Sequence, residues 1–237
     1  MGLTLIVGVL AEQIGFEDED AIKHYREQFA KVNRALRASG LPEHHEPEDL
    51  GEADPLEMDM SGYSSLHYLR RIAAHLWAGN PLPPPGNKEV SKDPVVKTYY
   101  AAFDRISTAP RRGLFRRGGE KQAAAPKFEH LMNHSDAEGF YVPVEFERVI
   151  FDTRGLGLAG GMLGSSQKLL QECGTLAEAL SMPLDLDPES DELGEAIQHQ
   201  GEGDAQWKRY GIESFTCSRL YHACKASLRL GAALTFG

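Results

Sequence analysis

The sequence predicts an α+β fold in a single domain, with about five helices around a small mixed or antiparallel sheet that includes both terminal strands. Three observations lead there. Several stretches repeat apolar residues at steps of three and four, as amphipathic helices do. Strand-like stretches lie at the two ends and in the middle of the chain. The order between them does not alternate as βαβ units would. At 237 residues, 41% hydrophobic and 25% charged, the chain can bury a sizeable core without disulfides, so one domain over 1–237 accounts for it.

The elements follow in order. Residues 1–10 are apolar, carry no basic leader and are too few to span a bilayer, which predicts a buried first strand. The spacing of Ile22, Tyr25, Phe29, Val32 and Leu36 predicts a helix over Asp18–Ser39, stopped by Gly40 and Pro42. Residues 43–59 hold eight acidic residues and no Lys or Arg, and read as a solvated loop. Leu66, Leu69, Ile72, Ala73 and Leu76 predict a second helix over Ser64–Ala78. A proline-rich connector and a third helix, Asp93–Ile106, come next. Residues 107–127 switch to Arg and Lys among Gly and Ala, as a flexible basic loop would. Phe140, Val142, Val144 and Phe146 mark a strand, and a glycine-rich turn then leads into a helix over Ser165–Leu180. A second acidic stretch, a last helix from Glu213 to Leu230 and a closing strand over Ala232–Phe236 complete the chain.

The charge limits the function. A net charge of -10 argues against general binding to nucleic acid or to an anionic membrane, and favours a basic partner. Cys173, Cys217 and Cys224 form no disulfide framework, which suits a reducing, cytoplasmic compartment.

Familiar catalytic motifs fail one by one. Gly155-Leu156-Gly157-Leu158-Ala159-Gly160 has the G-x-G-x-x-G spacing, but Gly161 and Gly164 weaken the helix that should open there. Around Ser166, Lys168 stands where a nucleophile elbow needs its second glycine. In the stretch from Asp185, Ser190 and Ala196 occupy the turn-glycine and closing-Glu positions of a calcium loop. His130 and His134 are four apart with Leu131 between them where a zinc protease needs Glu, yet with Asp136 and Glu138 they could still present four metal ligands. The simpler reading is a capped turn at His134-Ser135-Asp136. Gly164, Ser165 and Ser166 offer free amides at a helix start, an anion-binding arrangement. Tyr63 and Arg70 flank the apolar face of the second helix and complete the set of candidate binding residues His134, Ser135, Asp136, Glu138, Gly164, Ser165 and Ser166.

The run from His130 to Pro143, with its H-S-D-x-E-G-[FY]-Y-[VL]-P pattern, and the G-G-[MI]-[LV]-G-S-S pattern at Gly160–Ser166 together resemble an uncharacterised family of soluble bacterial and some plant proteins. The stretches Leu41–Pro47 and Tyr63–Arg70 are similar to that family too. No activity attaches to the family, so the resemblance carries over no catalytic residue.

Two functional readings result. The first is a cytosolic, acidic protein-interaction module without a cofactor, extending to an immunity protein that neutralises a basic toxin; its acidic segments, 43–59 and 185–204, would steer the partner in. The second is an enzyme or small-ligand binder that uses a divalent metal on His130, His134, Asp136 and Glu138, facing the Ser165-Ser166 helix start.

Overall fold

The structure is a computed structural model that describes residues 3–60, 62, 64–86, 90–108 and 127–237. Tyr63 and nearly all of the basic stretch, 109–126, lie outside the described residues.

The apolar start forms β1 (Thr4–Val7), then breaks at Gly8, whose φ of 86° turns the chain into α1 (Val9–Gly15). A side chain at Gly8 would meet Leu50, so glycine serves both the turn and the close approach. The strand reading of residues 1–10 therefore covers only the first half, and a short helix replaces the rest. α2 (Glu19–Ala38) is capped by Asp18, whose carboxylate accepts the Ala21 amide, and buries Ile22, Phe29, Val32 and Leu36 as the periodicity requires.

Residues 43–59 are not wholly a solvated loop. Leu56–Asp59 form β2, an edge strand that buries Met58 and exposes Glu57 and Asp59. Asn33 on α2 clamps the backbone of His44 from both sides, at 2.8 Å each. His44 then meets Glu46 at 2.6 Å inside the protein.

Next come α3 (Ser64–Trp77), α4 (Pro94–Thr108) and a single helical turn, α5 (Glu129–Met132). β3 (Gly139–Val142), β4 (Ile150–Phe151) and β5 (Met162–Ser165) lead into α6 (Ser166–Leu180). The second acidic stretch contains α7 (Asp191–Gln198). α8 (Gln206–Arg209), α9 (Gly211–Leu230) and β6 (Leu234–Phe236) close the chain.

The strands form one six-stranded sheet in the order β2-β1-β6-β3-β5-β4, parallel only between β3 and β5. Both terminal strands lie next to each other at its centre. α1 and α2 cover one face, where Phe29 and Leu36 pack on Phe140, Val142 and Leu163. α3, α4, α6 and α9 cover the other, where Tyr141, Leu69, Leu169 and Leu220 share a core. Because β3 is buried on both faces, its residues run apolar without alternation. The five long helices match the sequence expectation, and four short ones add to them among the described residues. All three cysteines are buried and free.

Candidate functional site

The segment from Glu129 to Glu138 carries His130, His134, Ser135, Asp136 and Glu138. It has no regular structure beyond α5, so other parts of the fold must satisfy its backbone groups. Arg70, projecting from α3, does most of this. Its guanidinium donates to the carbonyls of Leu131 and His134, each at 2.7 Å, and to the Asp136 carboxylate. Such a fork suits arginine, whose planar donors reach several acceptors together. Tyr100 and Tyr141 donate to the carbonyls of Met132 and His130. From α6, Glu172 accepts the amides of His130 and Leu131, the free donors at the start of α5. Burial pushes the Glu172 carboxyl up to about 8, against the pull of those two amides.

Both imidazoles are enclosed by the fold. His134 is stacked on Tyr141 with ring centroids 4.0 Å apart, and its nitrogens face the carbonyls of Ser135 and Phe140 at 3.1 and 3.3 Å. His130 Nδ1 accepts the Ser165 amide at 3.0 Å, which leaves the proton on Nε2. That Nε2 has no partner of normal hydrogen-bond geometry; the Glu147 carbonyl is the backbone group that acts on the ring. Burial lowers both rings to about 4, so they are neutral near pH 7. Asp136 faces Arg70 and His67, while Glu138 points to solvent. The four residues read as a metal set do not come together as one. No three His, Cys, Asp or Glu side chains among the described residues are grouped as a metal would need.

The glycine-rich turn packs directly onto this segment. A Cβ at Gly160 would lie 2.5 Å from the Glu138 carbonyl oxygen, one at Gly139 2.9 Å from His134, and one at Gly164 2.2 Å from the Tyr141 ring. The two sequence patterns therefore converge in space, through backbone contact. The amides of Leu156, Gly157 and Leu158 all bond the Asp152 carboxylate, at 2.7, 2.7 and 3.1 Å. Those backbone bonds hold the Asp152 carboxyl below its usual range. The nest that a phosphate would occupy in a dinucleotide site is filled by the protein's own anion. Ser165 and Ser166 are fully buried at the start of α6. Their hydroxyls bond Gln167 and Ser227, and neither caps the helix by its side chain.

Exposed polar groups of one sign gather elsewhere. Residues 43–59 and 185–204 carry sixteen of the chain's 35 acidic residues and no Lys or Arg. Arg219, on α9 and largely buried, joins them: it donates to the Asp59 carbonyl and pairs with Glu189 at 2.8 Å while resting 4.3 Å from the Phe215 ring centre. One guanidinium thus draws the end of the first acidic segment against the second. A hollow of about 300 Å³ opens there, lined by Glu189, Asp191, Glu195, Phe215 and Arg219. On the other side of β2, Glu12 of α1 lies close enough for Glu57 to add to the burial that raises its carboxyl. Sequence reading found both acidic segments but had no signal for Arg219, which sits in an otherwise ordinary helix.

No helix among the described residues is long and apolar enough to cross a membrane. No curated protein and no solved structure matches the chain. One family does, over residues 1–236, and its description is "Putative DNA-mimic protein". A match over nearly the whole length shows that the chain belongs to this family.

Proposed function

We propose that the protein binds a DNA-binding protein by presenting carboxylates where that partner expects phosphates, and so keeps it from DNA. The observation that carries this reading is that Arg219 ties the end of one Lys/Arg-free acidic segment to the other, so that exposed carboxylates of both meet there. A DNA site is a cationic groove whose affinity comes largely from phosphate neutralisation, and a protein bearing carboxylates can compete for it. The family match supports the same reading. A DNA-cleaving toxin would be one partner of this kind, so the immunity-protein reading falls within the proposal, with the cytoplasm as the compartment in which the two would meet.

The test is competition. The immobilised protein is exposed to a lysate of its source cells, and bound proteins are challenged with short duplex DNA or with an uncharged polymer. We expect at least one protein that duplex DNA displaces and the uncharged polymer does not, with binding that weakens steeply as salt rises. If duplex DNA displaces nothing, the mimic reading is wrong.

A further inference from the structure

Among the described residues, two large hydrophobic side chains are exposed: Phe16 at 72% and Leu184 at 40%. Each adjoins an acidic run. Phe16 is followed by Glu17, Asp18, Glu19 and Asp20, and Leu184 by Asp185, with Asp187 and Glu189 beyond. These runs are exposed. A single exposed aromatic needs no explanation. Two exposed large apolar side chains at the borders of acidic runs, with the other large apolar side chains among the described residues buried or half-buried, call for one.

The fold links them. Phe16 donates its amide to the Glu12 carbonyl, so it sits one turn beyond Glu12 on the same side of α1. Glu57, on the edge strand β2, pairs with Ile6 of β1, the strand that leads into α1, and its charge reaches Glu12. Two residues on, Asp59 is tied through Arg219 to Glu189. From Glu189 the chain leads back through Asp187 and Asp185 to Leu184. The result is a belt of carboxylates around the β2 edge of the sheet, with an apolar side chain at either end. Near its middle, the hollow beside Phe215 contains two buried polar groups without a partner, Arg219 Nε and Ser190 Oγ.

We propose that this belt is the docking surface for the cationic groove of the DNA-binding partner, and that Phe16 is its apolar anchor, with Leu184 a second contact. The proposal rests on the mimic reading and goes beyond it, because phosphates offer nothing like a phenyl ring. Carboxylates alone would bind many basic surfaces, with affinity that salt abolishes. An aromatic side chain that enters a pocket of one partner adds a part that salt does not screen, and interfaces concentrate their binding energy in such residues. Charge then sets the encounter rate, and Phe16 sets which encounter persists.

Two probes separate charge from anchoring. Octa-arginine reports charge alone, and the DNA-displaceable protein from the competition experiment reports the full interface. Variants Phe16→Ser and Leu184→Ser change exposed positions, so thermal melts like the parent's are expected. Glu57→Lys with Asp185→Lys reverses two belt charges, and Glu145→Lys, near β4 at the far edge, serves as the control. The belt pair should weaken both probes and flatten the dependence of log K on log salt, while Glu145→Lys changes neither. Phe16→Ser should leave octa-arginine binding unchanged but weaken the partner by about tenfold or more, with the same salt slope. If Phe16→Ser and Leu184→Ser both keep the partner within about twofold while duplex DNA still displaces it, the anchor is refuted and the mimic reading survives. If the Glu145 control weakens both probes as much as the belt pair, the belt is refuted as the docking surface. If no protein is displaced by DNA, both readings fall together.

Discussion

Gly164 and Gly174 stand on consecutive elements, β5 and α6, and an added methyl group acts on them in opposite directions. At Gly164 it would lie 2.2 Å from the ring of Tyr141, which is fully buried, stacked on His134 and bonded to the His130 carbonyl. The ring has nowhere to go without breaking one of those contacts. Overpacking of this kind costs about 1–3 kcal/mol and more where the neighbour is locked. Gly174 lies inside α6 with nothing within 4 Å of an added Cβ, so alanine there gains helix propensity of about 0.5–1 kcal/mol. Urea unfolding should show Gly164→Ala less stable than the parent by about 3 kcal/mol and Gly174→Ala slightly more stable. A tolerant Gly164 would mean that Tyr141 is less fixed than its contacts imply. The same scale shows what the sequence could not convey. His134, Ser135, Asp136 and Arg70 look like a binding constellation because they are polar and closely spaced, or flank a helix. What consumes them does not show in that spacing: Arg70 reaches across 61 to 66 positions to residues 131, 134 and 136, and Tyr141, farther along the chain, covers the His134 ring. A polar cluster that is consumed internally and one that is open to a ligand have the same one-dimensional signature.

At the scale of elements, the turn between α5 and β3 together with the start of α6 forms a unit that is sensitive to acid. His130 and His134 fall from the usual imidazole value of about 6.5 to about 4 through burial. Above pH 6.5 neither folded nor unfolded chain holds these protons, so the rings then contribute no slope. As pH falls from 6.5 to 4, the unfolded chain takes up protons that the folded one refuses, and stability is lost. The loss is at most about 1.4 kcal/mol per pH unit for each ring. Glu172 works the other way. Its carboxyl, raised to about 8, holds a proton in the folded protein that the unfolded chain releases above its ordinary value, so its stabilisation is present at low pH and lost as pH rises towards 8. The urea midpoint should therefore fall from pH 6.5 to 4.5, less steeply than two rings alone would give. A Glu172→Gln variant should steepen it. A midpoint that rises on acidification would show that Glu172, with Glu46 and Glu129, whose carboxyls burial also raises, outweighs the two imidazoles. The elements themselves were largely legible in advance. The helices α2, α3, α4, α6 and α9 announce themselves by apolar periodicity, and α2 also by its stop at Gly40 and Pro42. α1 and β2 did not, for physical reasons. Gly8 breaks a continuous apolar run at a point set by its positive φ and by the approach of Leu50, neither of which the run itself displays. Met58 is the one buried side chain of β2, in a stretch that otherwise reads as solvated acid.

For the whole molecule the dominant quantity is its unbalanced charge. The net charge is -10, and the stretch 109–126 contains five basic residues against one acidic, so the remainder stands at -14. Several carboxylates are held in exposed pairs, such as Glu48 with Arg26 and Glu43 with Arg37. Exposed pairs of this kind stabilise little, and salt weakens what they give. The repulsion among the unpaired carboxylates of the belt acts over longer distances and opposes the compact state. Two effects of salt therefore compete, and the excess of acid decides between them. From about 10 mM to about 150 mM salt the Debye length shrinks from about 30 Å to about 8 Å, which screens belt repulsion before it affects buried contacts such as Arg71 with Asp93. The melting temperature should rise by a few degrees over that range. Octa-arginine at low salt should produce a similar rise, because a ligand that binds only the folded belt stabilises it by mass action. Reversing Glu57 and Asp185 to lysine should diminish both increases together, since the repulsion and the docking reside in the same side chains. A melting temperature that falls with salt would show that attractive surface pairs outweigh the repulsion. The belt would then be a set of individually compensated charges, unsuited to stand in for the phosphates of DNA.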